Sequence, residues 1–536
     1  MGGKISLDRQ KAEDKTFLLS RDGTFFLSFA NGAFGSKWAG LWNNETKFLD
    51  YFAVRAEKNW LSPESFKKIN YDGISAELEF KNKVSEKLCV NKDGLALELR
   101  SKKPIDWDVE VGVNIRKRDE DLHGREYEVF KRSGTVVKNS LGYLKIKSPN
   151  AHFIPIKERG KHFPGKYAHE KGYDWYEDEQ EKYVAGVLSG HDSKLEIGFL
   201  VNSNKDVEYD AARKSYRKVI RAHKEEGWKF SSSINHLLTK INGMTGFFAG
   251  LPYFNQFWTR DFLWMARPLM DAGFDKEAHD ALGHIAKNQL KNGEIPSIIG
   301  SKGGNADSTP LFVVASDEVF LETGEINGQN VRAALDFGIK NQKEFVYHPE
   351  NLTWMDTLNR PVAIEVQSLW VEAFERGFEI FDDEKLSDAA SDLWEAIENR
   401  MTKNEVFLDS LGGPYQFTAN SLVPIVFGQA SLGQRKKTIK KAKSELLTEW
   451  GVKAVAKSES KNPEKYHERV WGITTYWGLL AFSEKISRKI LEGYSKLYGK
   501  KTLYGMPETI SQGKPLGATH QLWSVAFLPE IGDDVV

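Results

Sequence analysis

The sequence has a single cysteine, no excess of charge of either sign and no long apolar run. One cysteine, Cys89, excludes an internal disulfide framework and any site with several cysteine ligands. The 75 basic and 75 acidic side chains cancel, whereas proteins that bind nucleic acids or acidic membranes usually carry a basic excess. No apolar stretch reaches the roughly 20 residues of a membrane span, and the polar N-terminus lacks the apolar core of a secretory signal. We therefore expect a cytoplasmic protein with no nucleic-acid or membrane partner.

The sequence also lacks the short motifs of nucleotide, metal and serine-nucleophile sites. It contains no Gly-x-Gly-x-x-Gly, no phosphate-binding loop, no His-Glu-x-x-His and no Gly-x-Ser-x-Gly. We therefore expect no cofactor and no metal. What the sequence has in excess is tryptophan, with 15 residues, most of them after residue 250. Their broad apolar rings serve either core packing or stacking on sugar rings.

In the first part of the chain, apolar and polar side chains alternate within short segments. The clearest segments are 24–30, 74–80, 95–100, 107–113, 141–147 and 195–201. Alternation of period two is typical of strands with one buried face. Many short strands without helical segments between them predict an antiparallel β-sandwich, which we assign to residues 1–205.

The pattern changes after residue 205. Residues 206–232 are charged, have helical spacing and predict a linker helix. From residue 233 to 536, apolar side chains recur every three or four residues, which is typical of helices. Amphipathic segments alternate with more apolar ones, a pattern compatible with two concentric rings of helices.

Candidate chemistry is found where carboxyl groups stand beside aromatic residues in the loops between the predicted helices. Cleavage of a glycosidic bond requires two carboxyl groups, one that protonates the leaving oxygen and one that activates water or attacks. A tryptophan beside an aspartate can raise the pKa of that carboxyl, and an Arg–Asp pair gives a fixed hydrogen-bonding fork. One such pair is more often structural, but several in one helical region favour a glycosidase. The segments are 258–261, 305–309, 353–356, 365, 468–471 and 507–508.

Several of these segments, in the same order along the chain, match a known family. Thr353-Trp-Met-Asp356 matches a Thr-Trp-Met-Asp motif at every residue. Looser matches lie at 257–261, 292–296, 307–312, 360–370, 470–471 and 508–524. Together they resemble the amylo-α-1,6-glucosidase region of glycogen debranching enzymes, which are inverting glycosidases. Residues 31–36 and 40–49 resemble the β-sandwich that precedes the barrel in prokaryotic members.

The resemblance implies a multi-domain fold, an N-terminal antiparallel β-sandwich followed by an all-α (α/α)6 barrel over residues 233–536. It implies Asp356 as the general acid and Glu508 as the general base. The residues that it implies as sugar ligands or walls are Trp258, Arg260, Asp261, Asp307, Trp354, Glu365, Trp471 and Trp523. Glu365 stands two residues later than the glutamate of the family's Pro-Val-Glu-Ile segment, so its contact with the substrate stays open.

The sequence thus predicts an inverting glycoside hydrolase that removes terminal α-glucosyl residues from α-glucans or oligosaccharides, with α-1,6-glucosidase activity of the debranching type favoured. A trehalase, an oligosaccharide α-glucosidase and a mannosylglycerate-type hydrolase are alternatives on the same barrel. A different alternative is a carbohydrate-binding protein that has lost activity, against which the presence of both Asp356 and Glu508 argues. The sequence leaves the oligomeric state open.

Overall fold

The computed structural model describes residues 4–33, 37–120, 126–160, 182–220, 228–325, 327–456 and 466–531. The chain divides into two compact units, which we describe separately. The sheet unit comprises Met1–Asn242, Leu251–Asn255 and Tyr498–Met506, and the helical unit comprises Gly243–Gly250, Gln256–Leu497 and Pro507–Val536. The domain bounds inferred from the sequence, at residues 205 and 233, stay a prediction.

The sheet unit contains a 15-stranded sheet whose paired strands are antiparallel. Its strands are β1 (Ile5–Asp8), β2 (Thr16–Arg21), β3 (Thr24–Phe29), β4 (Gly40–Asn43), β5 (Thr46–Ala56), β6 (Asn59–Trp60), β7 (Phe66–Tyr71), β8 (Ser75–Phe80), β9 (Ser85–Asn91), β10 (Gly94–Lys117), β11 (Glu128–Arg132), β12 (Gly134–Asn139), β13 (Gly142–Lys147), β14 (His152–Gly160) and β15 (Lys182–Val201). The main path runs β1-β7-β8-β9-β10-β15-β13-β12-β11, and the run β2-β3-β4-β5 joins it where β5 pairs with β10.

Strand β10 is the branch point of this sheet. Its first half pairs with β9 and its second half with β5, while β15 pairs with both halves. The register shifts between Arg100 and Ile105, a stretch that includes Pro104, which has no N–H to donate to a ladder. The alternating segments 95–100 and 107–113, expected as two strands, are therefore the two halves of one strand.

Among its described residues, the sheet unit also contains the helices α1 (Arg9–Ala12), α2 (Tyr209–Ile220) and α3 (Trp228–Leu237). The remaining helices follow in the helical unit: α4 (Thr259–Asp271), α5 (Asp275–Lys287), α6 (Ser308–Thr323), α7 (Gly328–Asn341), α8 (Ile364–Phe381), α9 (Glu384–Arg400), α10 (Val423–Val426), α11 (Leu432–Glu445), α12 (Gly472–Ala481), α13 (Glu484–Ser495) and α14 (Leu522–Val525). In the described part of the chain, no helix is both long and apolar enough to cross a membrane.

Short strands separate the helices: β16 (Leu238–Ile241), β17 (Met244–Phe247), β18 (Gly250–Leu251), β19 (Val362–Ala363), β20 (Thr402–Lys403), β21 (Val406–Phe407), β22 (Ser410–Leu411), β23 (Leu447–Thr448), β24 (Gly451–Val452), β25 (Val470–Trp471), β26 (Thr509–Ser511), β27 (Lys514–Leu516) and β28 (His520–Gln521). Strands β25, β26 and β27 form one small sheet, and β19 pairs with β22.

Six helices of the helical unit form a closed series of contacts. Helix α4 packs on α6, α6 on α8, α8 on α10, α10 on α12, α12 on α14, and α14 on α4. We call these the ring helices. Helices α5, α7, α9 and α13 pack against members of the ring.

Burial differs between the ring helices and their neighbours. Helix α4 is buried on nearly all sides, as expected for a helix with neighbours all round. Helix α11, which is not part of the ring, buries only Gln434, Thr438 and Ala442, which recur every four residues on one face. The predicted order of an antiparallel sheet part followed by a helical part is confirmed.

Candidate active site

The predicted site residues lie at the N-terminal ends of the ring helices or in the loops that lead to them. They are Arg260 and Asp261 in the first turn of α4, Asp307 before α6, Glu365 in the first turn of α8, Trp471 before α12 and Trp523 in α14. Trp354 and Asp356 belong to the loop between α7 and β19, and Glu508 directly precedes β26. Side-chain contacts connect most of these helix ends and loops to one another.

Asp356 is an exposed carboxyl in the loop of residues 353–357, which we call the 353–357 loop. The pKa of Asp356 is raised because protein atoms exclude water from part of the carboxyl. Attraction to Arg260 opposes this rise, and the negative charge of Asp307 adds to it. A carboxyl that a ligand can reach and that holds its proton more tightly than usual suits a general acid.

Glu508 is a buried carboxyl, 3% exposed, that is held at both oxygens. Oε1 accepts a hydrogen bond from the Tyr466 hydroxyl at 3.0 Å, and Oε2 accepts one from the backbone N–H of Ala518 at 3.0 Å. Burial raises the pKa of Glu508 in spite of these bonds and of Arg469, and the charge of Asp356 raises it further. The two carboxyl groups predicted to act as acid and base are therefore within electrostatic reach of each other.

Asp261 is a third buried carboxyl in this group. Its Oδ1 accepts a hydrogen bond from Gln521 Nε2 at 3.0 Å. Burial raises the pKa of Asp261 to about 7, Arg260 opposes the rise, and Asp307 and Glu508 add to it. The N-terminal ends of α4 and α14 are thereby joined beside Glu508.

Arg260 and Asp307 form a buried ion pair. Arg260 Nε lies 2.8 Å from Oδ1 and 2.7 Å from Oδ2 of Asp307, and the two side chains are 4% and 1% exposed. Arg260 Nη2 also donates to the carbonyl of Leu352 at 3.0 Å, directly before the 353–357 loop. This ion pair therefore connects the N-terminal ends of two ring helices, α4 and α6, with the loop that carries Asp356.

Three of the predicted tryptophans form one aromatic cluster. The ring centroids of Trp354 and Trp471 are 5.5 Å apart, those of Trp354 and Trp523 6.5 Å, and those of Trp471 and Trp523 6.3 Å, all with edge-to-face geometry. All three side chains are buried. Within the described residues, the indole N–H groups of Trp471 and Trp523 are buried without an acceptor.

Two predicted residues differ in their surroundings from this group. Trp258 directly precedes α4, is half-buried, and has a buried indole N–H without an acceptor in the described residues. Glu365 is fully buried, and both of its oxygens accept hydrogen bonds from Arg360 at 2.6 Å. The contact of Glu365 with a sugar stays a prediction.

Sequence reasoning did not find Tyr466, Gln521 or Arg360 as parts of this arrangement. Tyr466 is 42 residues from Glu508, and Gln521 is 260 residues from Asp261, so no short-range pattern pairs them. His467, next to Tyr466, hydrogen-bonds through Nε2 to Thr357 Oγ1 at 2.6 Å. Burial lowers the pKa of His467 to about 4, which makes it a neutral neighbour of the 353–357 loop near pH 7.

No group of three or more His, Cys, Asp or Glu side chains that could hold a metal ion is found among the described residues. The arrangement that is present consists of carboxyl groups, one Arg–Asp fork and indole rings. Such groups can protonate a leaving oxygen, deprotonate water, and bind a polyhydroxylated ring.

Replacing Tyr466 by phenylalanine is expected to weaken catalysis through Glu508. The hydrogen bond from Tyr466 lowers the pKa of Glu508, so its loss raises that pKa. We expect the acidic limb of the kcat/KM pH profile to move to higher pH and kcat at neutral pH to fall roughly 3- to 30-fold, in line with one lost hydrogen bond to a charged group. Unaltered kcat and an unmoved acidic limb would show that the bond has no part in catalysis.

Replacing Gly517 by alanine is expected to displace Glu508. A Cβ at Gly517 would lie 2.2 Å from Glu508 Oε2 and 2.9 Å from Glu508 Cβ. Gly428 is a matched control in the same unit, because it has the same φ of +74° and a Cβ added there would meet no atom within 4 Å. We expect Gly517→Ala to reduce kcat about 100-fold and Gly428→Ala to leave kcat unchanged, as measured by sugar release. Equal kcat values for the two variants would contradict this assignment.

Comparisons with known proteins find similarity in structure and none in sequence families. No family model and no curated protein matches this sequence. Among solved structures, the chain is similar to the crystal structure of a bacterial glucoamylase complexed with acarbose, with a TM-score of 0.68 and 12% sequence identity. The likeness covers 99% of this chain and 94% of the glucoamylase chain. At this level of identity it shows that the two chains share a fold over nearly their whole length.

Proposed function

We propose that this chain is an inverting glycoside hydrolase that acts on α-glucans or α-glucosyl oligosaccharides, with Asp356 as general acid and Glu508 as general base. The observation that carries the proposal is the pair itself. One carboxyl is exposed, the other is buried and held by two hydrogen bonds, and both have raised pKa values. The shared fold with a glucoamylase crystallised with acarbose supports the class of substrate.

We further propose that the helical unit is an (α/α)6 barrel and the sheet unit a β-sandwich. The closed series of contacts among the six ring helices, with other helices packed against them, supports the barrel. The branching of the sheet at β10 supports two layers of strands. In such a barrel the N-terminal ends of the inner helices meet at one end, which is where the candidate residues are found.

The proposed reaction uses one protonated and one ionised carboxyl. The proton of Asp356 passes to the glycosidic oxygen while the bond from that oxygen to the anomeric carbon breaks. A water molecule on the opposite face of the sugar gives a proton to Glu508, and its oxygen bonds to the anomeric carbon. Asp356 ends ionised and Glu508 protonated, and solvent restores the starting states. The product has the inverted anomeric configuration.

The same end of the barrel offers groups for holding the sugar. Arg260, Asp261 and Asp307 provide fixed donors and acceptors for hydroxyl groups, and the cluster of Trp354, Trp471 and Trp523 provides apolar walls. Trp258 would extend the wall from the start of α4.

We propose α-1,6-glucosidase activity of the debranching type, on the strength of the Thr353-Trp-Met-Asp356 match. Oligosaccharide α-glucosidase activity is a second candidate, which the fold shared with a glucoamylase supports. Both candidates use the same carboxyl pair and differ only in the linkage that the site accepts.

One assay separates these candidates. The purified chain is incubated with panose, isomaltose, maltose, trehalose and limit dextrin, and the first anomer of glucose released is recorded by NMR. We expect release from panose and limit dextrin, with β-glucose as the first product. Release of α-glucose first would refute inversion, activity on trehalose alone would indicate a trehalase, and no release from any of the five would favour a binding protein.

A further inference from the structure

A buried cluster of one arginine and two carboxylates lies directly behind the 353–357 loop. Arg360 is 1% exposed, Glu365 1% and Asp409 0%. Arg360 binds Glu365 through two hydrogen bonds of 2.6 Å and Asp409 through bonds of 2.8 Å from Nε and 2.9 Å from Nη2. A planar guanidinium that binds two carboxylates at once has little freedom to move.

The remaining donor of Arg360 extends to the 353–357 loop. Arg360 Nη1 donates to Thr353 Oγ1 at 3.2 Å in addition to its bond with Glu365. With these contacts, each of the five N–H groups of the guanidinium has an acceptor. Arg360 thus fixes the first residue of the loop directly.

A second path runs through Asp409. Asp409 Oδ1 accepts a hydrogen bond of 2.8 Å from Asn420 Nδ2, and Asn420 Oδ1 in turn accepts one of 2.7 Å from Trp354 Nε1. Asn420 Nδ2 also lies 3.3 Å from the sulfur of Met355. The three residues that precede Asp356 are therefore each in contact with the cluster or with Asn420.

We call Arg360, Glu365 and Asp409 the Arg360 cluster. Such a buried ion cluster is expected to add little to the free energy of unfolding. Taking three charged groups out of water costs about as much as their attraction returns, and well-packed apolar residues often serve equally well. An ion cluster instead orients the groups that it binds, because each hydrogen bond restricts an angle as well as a distance. Here the cluster orients the 353–357 loop, which carries Asp356.

We propose that Arg360 is a positioning residue, and that with Glu365 and Asp409 it holds the 353–357 loop so that Asp356 points at the leaving oxygen. The inference rests on the proposed function, and it assigns Glu365 to the support of the loop. Glu365 then acts on the reaction through Arg360, without a contact to the sugar.

Two variants test this inference against a matched control. Arg360→Lys keeps the charge but removes the fork, and Glu365→Gln keeps the shape while it weakens one side of the cluster. Arg376→Lys is the control, because Arg376 also binds several carboxylates, Asp317 and Glu372 among them, without a contact to the 353–357 loop in the described residues. If Arg360→Lys does not fold, the same measurements on Glu365→Gln test the inference.

The first readout depends on the leaving group. Panose needs a proton from Asp356 at its leaving oxygen, whereas α-glucosyl fluoride releases fluoride, a weak base that needs little protonation. We expect Arg360→Lys to lower kcat roughly 10- to 100-fold on panose and less than about 3-fold on the fluoride, with KM little changed. We expect a smaller loss of the same kind for Glu365→Gln and no such difference for Arg376→Lys. Equal losses on both substrates, or a rise in KM alone for Glu365→Gln, would overturn the inference.

The second readout does not need activity. Trp354 is followed by ¹⁹F NMR of protein labelled with 5-fluorotryptophan, its signal being assigned with Trp354→Phe. We expect this signal to shift in Arg360→Lys and Glu365→Gln and to stay in place in Arg376→Lys. If the wild-type chain hydrolyses neither substrate, the proposed function fails, and an unmoved Trp354 signal would still overturn the positioning of the loop by itself.

Discussion

Asp356→Asn and Glu508→Gln are each expected to lower kcat about 10²- to 10⁴-fold on the best α-glucoside, with little change in sugar binding. The asparagine cannot donate a proton to the leaving oxygen, and the glutamine cannot accept one from water. Both substitutions keep the shape of the side chain, and the amide oxygen of glutamine at position 508 can accept from one of the two donors, Tyr466 or the N–H of Ala518. Initial rates of glucose release give kcat, and calorimetric titration with acarbose gives binding.

A carboxyl of the same helical unit serves as the control for these variants. Glu372 pairs with Arg376 on α8, and Glu372→Gln is expected to leave kcat within about 2-fold of the wild-type value. Glu508→Ala with added azide tests the role of the base separately, because azide needs no deprotonation before it attacks the anomeric carbon. We expect β-glucosyl azide as the product. Full activity in Asp356→Asn or Glu508→Gln would refute the assignment of acid and base.

The fold was predictable where the sequence pattern is long enough to show a period. The strands of the sheet unit and ring helices such as α4 and α8 have clear alternation or helical spacing. Helices α10 and α14 have four residues each, which is one turn and too short for a period to appear. Yet both belong to the ring, since α10 packs on α8 and α12, and α14 on α12 and α4. The closure of the ring therefore could not be read from the sequence.

The candidate site likewise contains residues that a sequence motif suggests and contacts that form only in the fold. Asp356 could be suggested as a candidate from the sequence because Thr353-Trp-Met-Asp356 is a contiguous motif. Arg360 and Asp409 are 49 residues apart and meet only through the fold, as do Tyr466 and Glu508. For Glu365 the contact with a sugar stays a prediction, and nothing in the sequence indicated that both of its oxygens accept hydrogen bonds from Arg360.

The burial of several carboxyl groups in one site should make the free energy of unfolding depend on pH. Asp261 is the group for which we expect the largest effect. Its pKa is raised from 3.8 to about 7, mainly by burial. Between these two values the folded state holds a proton that the unfolded state has released. The free energy of unfolding contributed by Asp261 therefore falls as pH rises from about 4 to about 7, and the loss is complete above pH 7.

Asp261→Asn is expected to remove this loss. Asparagine keeps the size of the side chain and an oxygen that can accept the bond from Gln521, but it carries no charge. At pH 8 we expect the variant to be more stable than the wild type by on the order of 2–4 kcal/mol, since each pKa unit corresponds to about 1.4 kcal/mol. At pH 4 the two proteins should be nearly equal. Urea unfolding followed by tryptophan fluorescence at both pH values gives the comparison.

Asp271→Asn, at the exposed end of the same helix, is the control for Asp261→Asn. Asp271 pairs with Arg267 at the surface, where such a pair contributes about 0–1 kcal/mol, and its substitution should not increase stability at pH 8. Parallel pH dependences of stability in the wild type and Asp261→Asn would contradict the prediction.

The same substitution should lower activity while it raises stability. Asp261 lies close enough to Glu508 for the charge of Glu508 to contribute to the raised pKa of Asp261, and it is one of the proposed sugar ligands. Loss of a carboxylate acceptor for sugar hydroxyls should raise KM at the same time. A site that gains stability when one carboxyl is neutralised, and loses substrate affinity by the same change, has kept that carboxyl for binding and not for folding.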